Sequence, residues 1–175
     1  MRSLALVILL AWGALSPGTP AQAADPAPSG QMTWAVHFTL APRWLDPAES
    51  EGTITPFLTL YAVHDALLKP MPAGAATPCL AESWSLSPDG LVYSFVLRNG
   101  VRFHNGEALT AEDVKFSFER YRGANAQLLK DKVKEIRILD PRRIQFRLKE
   151  PWPDFITYYG TTATSAGWVV PKKYV

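Results

Sequence analysis

The side chains that could do chemistry in this chain are three histidines, one cysteine and a few carboxylates, and their placement supports little of it. His37, His64 and His104 fall on three different predicted elements, a strand, a helix and a turn, and lack the spacing of metal ligands. Each reads as structural or solvent-exposed, and no metal site is expected. Asp46 and Glu51 could form a carboxylate pair for acid-base work, but nothing positions a nucleophile beside them. Asp46 reads instead as a loop cap. No serine elbow, phosphate-binding loop, dinucleotide glycine turn or His-Glu-x-x-His run occurs. Cys79 is the sole cysteine, so no internal disulfide or cysteine-based metal site can form. It reads as a small buried apolar residue rather than a reactive thiol. These residues display no catalytic set, and no cofactor is expected.

The elements that would position these groups begin after a leader. Arg2 is followed by the apolar stretch Leu4 to Leu15, then Pro17, Gly18, Pro20 and the small-residue site Ala21-Gln22-Ala23. That order is a cleavable signal, residues 1–23, and its apolar run is too short to span about 30 Å of hydrocarbon. No cysteine follows to carry a lipid and no arginine pair precedes, so the expected product is periplasmic and not a lipoprotein. The net charge is +2, and Lys/Arg clusters never exceed two or three residues, which argues against nucleic acid or anionic membrane as partner. Residues 24–30 read as a disordered leader.

Met32, Trp34, Val36 and Phe38 alternate with Thr33, Ala35, His37 and Thr39 and predict a half-buried strand. A loop with Leu45-Asp46-Pro47 follows, then Thr55-Pro56 opens a helix running to about Leu68, with Phe57, Leu60, Tyr61 and Leu67/Leu68 inward. Lys69 to Pro78 reads as a loop. From Leu80 to Tyr121 the chain reads as a β-meander feeding a capped helix. Trp84 and Leu86 alternate inward, Pro88-Asp89-Gly90 turns, and Leu91, Tyr93, Phe95 and Leu97 keep period two. Asn99-Gly100 and Asn105-Gly106 are further turns. Thr110-Ala111-Glu112-Asp113 is a capping-box variant, after which Val114, Phe118 and Tyr121 share one helical face. A linker near Gly123 to Gln127 leads to a second hairpin, Ile136 and Ile138 against Ile144, Phe146 and Leu148, turned by Asp140-Pro141-Arg142. Pro151-Trp152-Pro153-Asp154 opens a short helix through Tyr159, and Trp168-Val169-Val170 begins another strand.

The string LAESWSLSPDGLVYSFVLRNGVRFHNGEALTAEDVKFSFERY, together with Leu45-Asp46-Pro47, closely resembles the signature of extracytoplasmic solute-binding proteins of family 5, the peptide- and nickel-type receptors of ABC importers. The resemblance implies a mixed α/β, type II periplasmic-binding-protein-like fold with two lobes around a cleft. It implies that residues 31–51 give the first strand and loop of the main lobe, 52–165 a small subdomain, and 166–175 a return to the main lobe. The chain would then be the N-terminal fragment of a longer receptor. Trp44 and Trp168 flank those crossings and could face the cleft. Glu51, Gly52 and Thr53 would run alongside the ligand backbone, where a main-chain pairing serves any extended peptide and Gly52 permits close approach. The implied protein is a monomer that binds a short peptide, closes around it and docks on an inner-membrane ABC permease. Alternative cargoes within the class are a nickel chelate, haem, an opine or an oligosaccharide. Rivals from other classes are a secreted hydrolase and a structural or adhesion domain.

Overall fold

The computed structural model describes residues 30, 31, 33, 35, 46–50, 60–70, 74, 76–160 and 164–173. Gln31, Thr33 and Ala35 are exposed and in no strand, and the apolar residues of the predicted first strand lie outside the described residues. From Tyr61 onward the elements are α1 (Tyr61–Val63), β1 (Leu68–Lys69), β2 (Thr77–Pro78), β3 (Ala81–Leu86), β4 (Val92–Leu97), α2 (Ala111–Arg120), α3 (Ala126–Lys132), β5 (Val133–Asp140), β6 (Arg143–Leu148) and α4 (Phe155–Gly160). β1 and β2 make a small hairpin, and the other four strands form one antiparallel sheet in the order β3-β4-β6-β5.

The period-two pattern sets which face of that sheet is covered. Tyr93, Phe95 and Leu97 of β4 and Ile144, Phe146 and Leu148 of β6 are all buried. The register places Tyr93 opposite Phe146 and Phe95 opposite Ile144, so one face carries the whole set. Helices α2 and α4 close over it. Phe118 of α2 meets Phe146 edge-on at 5.4 Å, and Phe155 and Tyr159 of α4 meet it at 5.6 and 5.1 Å. Phe146 is thus a residue that both helices contact, and Phe155 also packs on Tyr93 at 4.8 Å. The turn before β4 needs Gly90 at φ 72°, a left-handed conformation that glycine adopts without steric cost. At the start of α2, Asp113 Oδ2 accepts from the Thr110 amide (2.9 Å) and hydroxyl (2.7 Å), completing the predicted capping box. Val114, Phe118 and Tyr121 are buried together, as their spacing predicts.

Several expectations are corrected. The first helix ends at Val63, and His64, predicted within it, is already extended (φ −122°, ψ 148°). Leu67 and Leu68 are buried, but on extended chain. Long-range pairing wins here over helical periodicity: Ala66 bridges Trp168, and the Leu67 carbonyl accepts the amides of Cys79 (3.0 Å) and Ala81 (3.1 Å). The predicted loop Lys69 to Pro78 accordingly contains the β1–β2 pairing. Trp84 and Leu86 are 37% and 42% exposed because β3 is the edge strand. They share the face of Phe95 and Tyr93, yet the helices cover the middle of the sheet and leave this edge open. Trp168-Val169-Val170 makes a single bridge rather than a strand. Helix α3 stands where the sequence suggested only a linker and the approach to the hairpin.

Removing the Phe146 ring should empty the contact between both helices and the sheet. Phe146→Ala is expected to lower the unfolding free energy by about 3–5 kcal/mol in urea titrations. Trp84→Ala, at the open edge, should cost only about 1 kcal/mol. Equal losses would contradict the assigned packing.

Candidate functional site

Two segments distant in sequence are held by α2. At its C-terminal end, the Arg120 guanidinium donates from both Nη atoms to the two carboxylate oxygens of Asp46, each at 2.7 Å. Asp46 Oδ1 also accepts the Ala48 amide at 3.0 Å, the loop cap expected from sequence. One residue past the helix C-cap, the Arg122 amide donates to the Ala48 carbonyl at 2.8 Å. The paired side chains keep modest solvent contact, 23% for Arg120 and 33% for Asp46. The hydrogen bonds from Arg120 hold the Asp46 carboxyl below the usual carboxylate range, outweighing partial burial, and the Ala48 amide adds to the effect. Arg120 is raised in turn, chiefly by the same bonds.

The chain from Thr164 to Lys172 runs along α2, from Tyr121 at its C-cap to Asp113 in its first turn. Ser117 is the polar joint: its hydroxyl donates to the Asp113 carbonyl at 2.7 Å and accepts the Val170 amide at 2.9 Å. Asp113, whose Oδ2 serves the cap, receives the Lys172 amide on Oδ1 at 2.9 Å. Lys172 also reaches Glu112 at 3.1 Å. On the other side of this segment, the Val169 amide donates to the Asp65 carbonyl at 3.0 Å.

Between these segments lies a cavity of about 730 Å³. Its lining is largely apolar, from Leu80, Val101, Phe103, Leu109, Val169 and Val170 among others, and Asp46, His64, Asp65, Arg102, His104 and Asn105 add polar groups. Apolar walls with a few convergent polar groups are the usual composition of a small-molecule site. Trp168 is buried, 4% exposed, with its ring stacked on His64 at 6.1 Å. Glu51, Gly52, Thr53 and Trp44, the other predicted ligand-binding residues, lie outside the described residues, as does His37. Among the described residues, no group of three or more His, Cys, Asp or Glu could hold a metal ion. Cys79 is half-buried, less than expected, and its thiol lies 3.6 Å from Asp65 Oδ1. Burial and the Asp65 carboxylate push that thiol up, away from the thiolate that nucleophilic chemistry needs. The arrangement can bind and orient a solute. Arg120, Asp113 and Ser117 escaped the sequence reading as site-forming residues. The only signal for Arg120 was a lone guanidinium at the end of the capped helix, and its partner lies 74 residues away.

The fold is shared with the PBP AgaA from A. tumefacien R10, whose structure holds agropinic acid: TM-score 0.66 and 28% identity, covering 77% of this chain and 27% of that one. It is shared too with the ABC transporter-associated periplasmic binding protein DppA from Helicobacter pylori in complex with peptide STSA, at TM-score 0.61 and 28% identity, over 74% and 29% of the two chains. This is the type II periplasmic-binding-protein fold. Residues 75–173 match the bacterial extracellular solute-binding proteins, family 5 middle. The chain belongs to that family. Among relatives, it is 35% identical over 146 residues to di/tripeptide-binding protein 2 of Pseudomonas aeruginosa (strain UCBPP-PA14), covering 71% of this chain and 27% of that protein. The chain therefore spans about a quarter of the length of such relatives.

The depressed Asp46 carboxyl fixes a pH dependence. A group whose folded pKa is lowered contributes stability that is fully present above its unfolded value, about 4, and is lost as pH falls through the folded value. Urea titrations should show the unaltered chain more stable than Asp46→Asn by up to about 1 kcal/mol near neutrality, since the pair keeps solvent contact. The gap should close as pH falls below about 4. A gap that persists unchanged in acid would refute the ionic role.

Proposed function

We propose that this chain is the N-terminal portion of the periplasmic substrate-binding component of an ABC importer, and that the whole protein binds a short peptide and delivers it to an inner-membrane permease. The observation that carries this reading is the family match over residues 75–173. The di/tripeptide-binding relative and the peptide-bound structure support the choice of cargo. The protein works by binding rather than catalysis, as a monomer whose two lobes close on the ligand. We place the first strand and loop of the main lobe at residues 31–51, the small subdomain at 52–165, and the return to the main lobe at 166–175. Glu51-Gly52-Thr53 runs along the extended ligand by main-chain pairing, with Trp44 on the same wall. Trp168, buried and stacked on His64, supports the cavity lining rather than meeting the ligand. The segment 46–50, ending one residue before Glu51, is the one fastened to α2 through Asp46. A second reading keeps the receptor and changes the cargo to an opine, which the agropinic-acid-bound neighbour favours.

Export follows from the leader. Protein recovered from the periplasm should begin at Ala24 on N-terminal sequencing, and retention of Met1 would contradict the assigned signal. For the cleft, Gly52→Val should weaken peptide binding by the scale of a blocked buried hydrogen bond, about 1–3 kcal/mol. Trp44→Phe reports whether that ring shares the wall. The ligand-free melting temperature should move little. Normal binding combined with a large drop in ligand-free melting temperature would make Gly52 a structural turn residue.

A further inference from the structure

We propose that Arg120 is a positioning residue for ligand binding: without touching the ligand, it fixes residues 46–50 against the end of α2 and so sets where the chain beyond Ser50 meets the ligand. This rests on the functional reading above. Three contacts fall in step along the two segments. Asp46 takes both Nη atoms of Arg120 at 2.7 Å, the Ala48 carbonyl takes the Arg122 amide at 2.8 Å, and Ser50 lies flush against Gly123. The last contact leaves no room for a side chain. A Cβ on Gly123 would stand 2.6 Å from the Ser50 carbonyl oxygen and 2.7 Å from the Tyr121 hydroxyl. Glycine is required there for space.

The chemistry of the pair suits positioning better than stability. Two parallel bonds from a planar guanidinium to a carboxylate fix orientation as well as distance, which a lysine ammonium cannot do. As a stability device the pair is weak, because both groups keep solvent contact. Helix α2 does not need it, since Val114 and Phe118 already bury that helix in the core. What the pair adds to the burial of Ala48 and Ser50 is a directional tie that fixes the course of these five residues along the end of the helix. That path ends where the proposed ligand-pairing residues begin.

The test uses the full-length protein, trialanine as probe, and amide hydrogen exchange as a readout independent of ligand. Arg120→Met should speed exchange at the Ala48 and Arg122 amides at least tenfold while leaving β4 and β6 protection unchanged. Trialanine should dissociate at about tenfold higher concentration. Arg120→Lys, which keeps the charge without the fork, should shift both readouts in the same direction but less. The double variant Asp46→Asn/Arg120→Met should bind no more weakly than Arg120→Met, because one interaction is being removed twice. Faster exchange with trialanine affinity held within twofold would make the pair merely structural and overturn the inference. So would unchanged exchange, or additive losses in the double variant. An unaltered protein that binds no trialanine would overturn the peptide reading and this inference with it, whereas normal binding by both unaltered protein and Arg120→Met sinks the inference alone.

Discussion

Helix α2 is the constraint on which the rest of the structure depends. Its inner face is pinned to the sheet by Phe118 against Phe146, and its polar side chains carry the ties to two segments far apart in sequence. Asp113 and Ser117 hold residues 170–172, while Arg120 and the Arg122 amide hold residues 46–48. A shift of the helix by one turn, about 5.4 Å, would break every one of these contacts at once. The aromatic core therefore does more than stabilise. By fixing one helix it fixes the course of both segments that border the cavity.

The division of labour follows from the strengths of the interactions. Burial of Phe95, Phe118, Phe146, Phe155 and Tyr159 supplies the bulk of the folding free energy, but it is non-directional. The polar ties contribute little energy each and a good deal of geometry. Asp113 shows the economy of this. One carboxylate caps its own helix with Oδ2 and receives the Lys172 amide with Oδ1, so the start of the helix and the path of the crossing chain are set by a single side chain. Asp46 does the same at the other end, closing its own turn through the Ala48 amide while taking Arg120.

Much of this fold could be read from sequence, for identifiable reasons. The strands β4 and β6, the capping box and the buried face of α2 are local patterns, and local patterns survive when tertiary contacts agree with them. The failures occur where distant residues decide. Nothing near His64 says that the chain must leave the helix to let Ala66 bridge Trp168, about a hundred residues on. Alternation in β3 identified a face but could not say that the face would lie at an uncovered edge, so Trp84 and Leu86 were assigned to a core that they only border. The candidate site divides in the same way. The loop cap at Asp46 was legible from Asp-Pro, but its bond to Arg120 was not, because sequence separation hides it. The roles of Glu51, Gly52 and Thr53 rest on family resemblance and lie outside the described residues.

The proposed peptide cargo is the point at which the functional reading is most exposed to test. Native mass spectrometry of the full-length protein, isolated from the periplasm without denaturation, reads that cargo directly from the mass difference between bound and ligand-stripped forms. A short-peptide receptor should carry a distribution of added masses matching dipeptides and tripeptides, and these should exchange completely for added trialanine. A single added mass matching an opine or a metal chelate, unmoved by trialanine, would contradict the peptide assignment.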